Sequence, residues 1–496
     1  MMHAALRLDF YVGGDYLHAG TLSCAFGSMF HDVGKLCYRS GDNRDHASAG
    51  YEYLRSRLQS DEWRGVLNCV RFHHASALRQ ARIADDDPAY IVCVADNVAA
   101  AADRRAIEGE AGSVRFDRTL PLNSVFSHLN GEHKGLALAT CAHDGKLHLP
   151  GEQLPAAAAQ YGALLNIFSQ GLQGIEFSES YIDSLLALIE ACTANVPSST
   201  FTGESPDISL YDHMKITAAV AACISEYLID NGITNFKEHV FKNEKVFRTE
   251  PAFLMYTADM SGIQKFIYTV AADGAQKSLR SRSFFLELMM EHYVDTVLGA
   301  CGLSRVNLIY SGGGHCYLLL PNTKAAKQAV QDVNDCTNDW LIDQFGTALF
   351  VAHGWAECSA DDLTNTPAEN APYKAIFQRV SSAVGRHKMK RYSARQIRRL
   401  NRPQSGLDGR ECKVCGNTDA IKDDRCRWCA RFEQLSIKIQ DEARVAYVVS
   451  RGADRYDLPL PGGAYLSLAD EQTARDMLKT GGIMRVYTKN RAYTGM

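Results

Sequence analysis

The sequence predicts a multidomain α+β chain: an all-α N-terminal unit, a ferredoxin-like sheet and a small zinc-ribbon-like module. Three observations predict it. Apolar stripes at helical spacing, without strand-like alternation, fill residues 17–105. Near Met255 the period changes to strand, helix and hairpin. Two CxxC pairs then follow, Cys412/Cys415 and Cys426/Cys429. At 496 residues the chain exceeds one core, so three or four domains are expected.

The elements follow in order. Residues 90–102 (YIVCVADNVAAAA) read as one buried helix with Asp96 near its middle, where a carboxylate is costly unless paired or ligating a metal. Residues 106–180 are rich in glycine and polar residues and read as a connector with some strand. Ile182, Leu185, Leu186 and Ile189 fall at i, i+3, i+4 and i+7, a helix that stops before Pro197. An alanine-rich helix is expected from about Tyr211 to Ile229. Phe253 to Ala258 is strand-like, and a glycine turn after Asp259 leads into Ile263–Ile267. Leu286, Met289, Met290, Tyr293 and Val297 share a helix face, and residues 306–310 and 316–320 flank Ser311-Gly312-Gly313-Gly314 as a hairpin. That order begins a ferredoxin-like palm of the kind found in nucleotide cyclases and polymerases. The expected units are 1–118, a connector at 119–245, the palm at 246–385, a basic and cysteine-rich segment at 386–440, and 441–496, with strand-like pieces and a short helix near Glu471 to Leu478, as the start of a linker toward a second palm.

Composition narrows the class. Hydrophobic residues make up 46% and charged residues 22%, as in ordinary globular proteins. No apolar run is long enough to span a bilayer, and Met1 to Phe10 lacks secretory-signal character. Most of the 15 cysteines are scattered singly, which fits buried thiols in a reducing cytoplasm. A net charge of −4 means that any nucleic-acid contact must come from a local patch.

His31-Asp32-Val33-Gly34-Lys35, followed by His46, His73-His74 and Asp96, has the residue types a phosphodiesterase needs to hold a divalent metal. His31, Asp32, His73 and Asp96 are the expected ligands, Lys35 meets a phosphate oxygen, and His46 is a further ligand or proton carrier. Histidine donors favour manganese, nickel or cobalt over magnesium. His74 stays ambiguous, because adjacent helical side chains diverge. His18 and His213 are assigned ordinary solvated or hydrogen-bonded roles. The four knuckle cysteines can close a tetrahedron around structural zinc. In the palm, Asp259 supplies one carboxylate, yet the hairpin turn is Ser311-Gly312-Gly313-Gly314-His315 with no acid. The palm is therefore not expected to transfer a nucleotide: it either binds one through glycine backbone or carries a purely structural hairpin. Residues 386–402 hold eight Lys or Arg and no acid. Lys388, Lys390, Arg391, Arg395, Arg398 and Arg399 are read as contacts to an RNA backbone.

Together these motifs resemble the large subunit of type III-A (Csm) CRISPR–Cas effector complexes. The resemblance rests on FHDVGK (30–35), RDHASAG (44–50), RFHHAS (71–76), ADNVA (95–99), DISLYDH (207–213), DMSGIQKFIYT (259–269), IYSGGGHCYLLLP (309–321) and the knuckles. It implies a permuted HD-type nuclease cutting single-stranded DNA, mounted with other Csm-type subunits on crRNA and target RNA. It also implies a second palm whose GGDD turn makes cyclic oligoadenylate from ATP. No GGDD occurs in these 496 residues, so the messenger is not expected from this chain alone. Asp259, Ser261, Gly312, Gly313 and Gly314 would form half of an ATP site, completed by a second palm on a separate chain. The rival expectations are a catalytically weak scaffold holding the crRNA 5′ end and, more remotely, a small-nucleotide phosphohydrolase.

Overall fold

A computed structural model describes residues 6–11, 17–103, 115–132, 134–140, 151, 155–269, 275–401, 410–418, 421–451, 457–480 and 482–489. The N-terminal unit is helical from Ala19 onward. Its elements include Ala19–Phe30, Gly34–Arg39, His46–Arg55, Arg64–Phe72 and Ala89–Asp103. Tyr90 to Ala95 is buried without interruption, as its apolar sequence requires. The alanine-rich helix Leu210–Asp230 packs on both Ala19–Phe30 and Ala89–Asp103, because its small side chains permit close approach. It also reaches the neighbouring sheet, where the Cys223 thiol donates to the Leu319 carbonyl at 3.3 Å. Ile182–Thr193 is helical as expected, but every residue in it except the half-buried Glu190 is buried, so it is a core helix rather than an amphipathic one.

Between residues 106 and 180 the expected strands reduce to isolated bridges among the described residues, while Ala158–Gln173 is a helix the sequence reading did not assign. Its apolar residues Tyr161, Leu164, Phe168 and Leu172 recur at helical spacing and are buried. That signal was present and was masked by the polar stretch before it.

The palm is a four-stranded antiparallel sheet of Phe253–Ser261, Leu308–Gly312, His315–Pro321 and Phe350–Cys358. Its spatial order, with the second strand at one edge and the fourth at the other, is ferredoxin-like. The crossover helices are Ala275–Ala300 and Lys324–Phe345. Leu286, Met289, Met290, Tyr293 and Val297 are all buried, and the Tyr293 and Tyr256 hydroxyls meet at 2.6 Å. In the hairpin Gly312 pairs with His315, leaving a two-residue turn in which Gly313 and Gly314 have φ of 61° and 82°. Two successive positive φ angles are what glycine supplies without steric cost.

The strand-like pieces expected after residue 441 are strands, and they belong to a sheet rather than to a linker. Ala446–Ser450, Leu458–Leu460, Ala464–Ala469 and Ile483–Lys489 join Leu6–Tyr11 in a five-stranded sheet. Leu6–Tyr11 pairs antiparallel with Ile483–Lys489, so the two ends of the described chain close one layer. This sheet, the palm and the cysteine knuckles share one hydrophobic cluster.

Candidate active site

The helical unit converges on Asp32. Helix Ala19–Phe30 ends just before the His31-Asp32 pair, and the turn places both side chains inward, 0% and 2% exposed. Gly34 opens the next helix where a Cβ would lie 1.8 Å from the His46 carbonyl oxygen. Glycine there lets helix His46–Arg55 approach closely enough for His46 Nε2 to reach 3.5 Å from Asp32 Oδ1. The same oxygen lies 3.8 Å from His73 Nε2. Asp32 Oδ2 lies 3.5 Å from both His31 Nε2 and His213 Nε2, and 2.5 Å from Lys35 Nζ.

Two donor groups flank this carboxylate: His31, Asp96 and His213 on one side, and His46, His73 and His74 on the other, the atoms of each within 4.8 Å of one another. His74 belongs to the second group because helix Arg64–Phe72 stops before it. His73 keeps helical angles while His74 is extended (φ −86°, ψ 132°), so both rings turn toward His46. His74 Nε2 lies 2.8 Å from His46 Nε2. The expected divergence of adjacent side chains fails for that reason.

His213, expected only to be solvated or hydrogen-bonded, is hydrogen-bonded, and its bonds place it inside the site. Helix Leu210–Asp230 brings its Nε2 to 3.1 Å from Asp96 Oδ1, while its Nδ1–H donates to Asp103 Oδ2 at 2.9 Å. DISLYDH carried the histidine, but no local spacing tied it to Asp96; only helix packing does. His31 and His73 are set in the same manner, donating Nδ1–H to the carbonyls of Ser28 (2.7 Å) and Val70 (2.9 Å). In all three rings that bond fixes the imidazole with Nε2 facing into the site, where it can ligate a metal. His31 Nε2 is fully buried and makes no hydrogen bond, a cost that a metal ion in this position would remove.

The electrostatics agree with a cation site. Burial alone would raise the two carboxyls. Lys35 and His31 nonetheless hold Asp32 well below the carboxylate range, and His213 and His31 do the same for Asp96. Burial pushes His46 down to about 4 and His73 down to about 3, keeping both neutral and free to ligate. Burial opposes charge on His213 too, but the bonds to Asp103 and Asp96 push it up to about 9. The site opens into a cavity of about 460 Å³ walled by Lys35, Tyr38, Arg39, Phe116 and the 198–200 backbone. Lys35 Nζ also donates to the Ser198 carbonyl at 2.9 Å.

Cys412, Cys415, Cys426 and Cys429 bring their sulfurs within 4.8 Å of one another, a complete four-thiolate set. Gly416, at φ 70°, donates its N–H to the Cys412 carbonyl and closes the first knuckle. Cys426 caps helix Arg427–Gln440.

Elsewhere the expected residues disperse. Asp259 lies near the end of the first palm strand, opposite His315, and is ion-paired with Lys388, so that lysine is engaged within the palm. Ser261 closes the same strand, and Gly312–Gly314 form the adjacent hairpin. Arg399 pairs with Asp339 and Asp343, whereas Lys390, Arg391, Arg395 and Arg398 are exposed. The basic run thus spans the end of helix Pro372–Met389 and helix Ala394–Leu400.

The HD domain family matches residues 17–101, and the family described as Csm1 subunit domain B matches residues 252–403. HD domains imply a divalent metal, in keeping with the donor set at Asp32. Among curated proteins, the chain is 38% identical to a "CRISPR system single-strand-specific deoxyribonuclease Cas10/Csm1 (subtype III-A)" of Mycobacterium tuberculosis, over 96% of this chain and 63% of the relative. The Enterococcus italicus protein of the same description is 36% identical over 96% of this chain and 64% of its own length. The chain therefore spans somewhat under two thirds of the curated relatives it matches. Among solved structures, Csm1 in a Csm1–Csm4 subcomplex of the type III-A interference complex superposes with a TM-score of 0.66 at 23% identity. That match covers 91% of this chain and 56% of the other. Among the described residues no helix is long and apolar enough to cross a membrane.

Proposed function

Since this chain belongs to the Cas10/Csm1 family of subtype III-A, we propose that its helical unit is a metal-dependent nuclease for single-stranded DNA within an RNA-guided complex. The observation that carries this reading is Asp32, buried with the Nε2 atoms of His31, His213, His46 and His73 at 3.5–3.8 Å from its carboxylate oxygens. His31, Asp96 and His213 would hold a divalent ion, with Asp32 shared toward His46, His73 and His74. The histidine-rich set favours manganese, nickel or cobalt. A metal bound there supplies Lewis-acid polarisation and neutralises charge developing on phosphorus.

The chain's own residues do the rest. Asp103 and the Ser28 and Val70 carbonyls hold the imidazoles in the ligating tautomer. Lys35, at the cavity wall beside Asp32, would meet a non-bridging phosphate oxygen of the bound strand. Arg39, buried and bonded to the Pro197 carbonyl, fixes the loop that walls the cavity. The cysteine set holds structural zinc. Asp259, Ser261 and Gly312–Gly314 form one half of an ATP site that a second palm completes. The exposed cations Lys390, Arg391, Arg395 and Arg398 contact the backbone of crRNA and target RNA beside other Csm-type subunits, in the cytoplasm.

The test is cleavage of end-labelled single-stranded DNA with manganese, comparing the wild-type chain with His31→Ala/Asp32→Ala. Cleavage lost in the double variant is the expected result. Equal cleavage by both, or none by the wild type even in an RNA-bound complex, overturns the nuclease reading.

A further inference from the structure

One aromatic side chain at the cavity of the helical unit has no structural work to do. Phe116 is 73% exposed, yet it lines the same cavity as Asp32, His46, Asp96 and His213. A phenylalanine so exposed contributes little to folding, because little of its apolar area leaves water. Its position is nevertheless held. Phe116 bridges antiparallel to Phe201, with Asp117 N–H donating to the Thr200 carbonyl at 2.8 Å and Thr202 N–H to the Arg115 carbonyl at 2.9 Å. The Phe201 ring backs it at a centroid distance of 5.3 Å, leaving the remaining surface of Phe116 to solvent.

Cations flank it. Arg115 is exposed, and Arg118 is held 3.5 Å over the ring of Tyr38, another cavity residue, while donating to the Tyr38 carbonyl at 3.2 Å. A braced, outward-facing aromatic between two arginines at the mouth of a phosphodiester-cleaving site matches the chemistry of an unpaired nucleotide. The ring stacks on a base while the guanidiniums meet the phosphates.

We propose that Phe116 is the base-stacking residue of this site, with Arg115 and Arg118 positioning the adjoining phosphates. It would select single strands because a base already stacked and paired in a duplex cannot lie on it. The proposal rests on the nuclease reading for its consequence in catalysis, but the stacking can be measured without turnover. Binding of fluorescently labelled oligothymidylate is followed by anisotropy in the presence of chelator. Wild type, Phe116→Ala and Phe116→Trp are each compared on the normal strand and on one with abasic sites throughout.

Removing the ring should weaken binding to the normal strand roughly five- to a hundredfold, the range for one aromatic–base stack. Phe116→Trp should retain wild-type affinity, and on abasic DNA all three proteins should bind alike. Manganese-dependent cleavage is then measured on the normal strand, where Phe116→Ala should raise KM with kcat little changed. Equal binding of both strands by wild type and Phe116→Ala overturns the stacking proposal, whatever happens to cleavage. Ring-dependent binding without any cleavage by the wild type leaves the stacking intact and overturns the nuclease reading instead.

Discussion

Replacing Asp103 tests the proposed metal centre at the residue that would orient its least expected ligand. His213 Nδ1–H donates to Asp103 at 2.9 Å, and that bond turns Nε2 toward Asp96, 3.1 Å away, where it would ligate a metal. Asparagine keeps an acceptor oxygen of the same reach but loses the charge. A hydrogen bond to an ionised partner is worth about 1.5–3 kcal/mol and a neutral one about 0.5–1.5. The difference of about 1–1.5 kcal/mol predicts roughly tenfold weaker manganese binding for Asp103→Asn. Alanine removes the acceptor, so the buried ring gains by moving its proton to Nε2, where it satisfies Asp96 and no longer ligates. Asp103→Ala should then lose up to about a hundredfold, the upper end for residues that orient metal-bound histidines. Titration of manganese followed by electron paramagnetic resonance measures both, and DNA cleavage should fall in the same order. Wild-type manganese affinity in Asp103→Ala, or asparagine worse than alanine, would refute the tautomer argument.

Three further outcomes are expected. Gly262, at φ 95°, has the Ala348 carbonyl oxygen 1.9 Å from where a Cβ would lie, whereas Gly313, at φ 61°, faces open space. Gly262→Ala should therefore lower stability by about 3 kcal/mol or more and Gly313→Ala by only about 1, read from urea midpoints. Cys412→Ser/Cys415→Ser should release zinc, measured by elemental analysis, and lower the melting temperature by several degrees, with Trp428 emission reporting the loss. Zinc content unchanged from wild type would count against the four-thiolate site. His292 is held down to about 3 by burial and then by Arg485, so folding favours its neutral form. Its contribution is complete above the unfolded value near 6.5 and is lost as pH falls toward 3. At pH 5 that amounts to roughly 2 kcal/mol, from about 1.4 kcal/mol per pH unit per proton. His292→Gln should lose correspondingly less stability than wild type between pH 7 and 5. Taking the difference removes Asp183, whose carboxyl burial pushes up to about 7 and whose contribution runs oppositely, being lost as pH rises through that value.

What could be read without coordinates was whatever neighbouring residues determine together. The His31-Asp32 pair, His46, His73 and Asp96 stand within one small unit, and their residue types announce a cation. The knuckles announce zinc because four sulfurs at CxxC spacing have few other uses. The palm order followed from a change of hydrophobic period, and the hairpin from consecutive glycines. Tertiary packing decided the rest. His213 joins Asp96 only because an alanine-rich helix lies close against two others. His74 enters only because a helix breaks one residue earlier, and Lys388 is spent on Asp259 at the far end of a strand. Residues 441–489 form a sheet with Leu6–Tyr11 because open strand edges seek partners however distant in sequence. Periodicity and spacing report the local chain. A ligand contributed from another helix, or a strand paired across the whole chain, leaves no local trace, since its energy comes from contacts that exist only after folding.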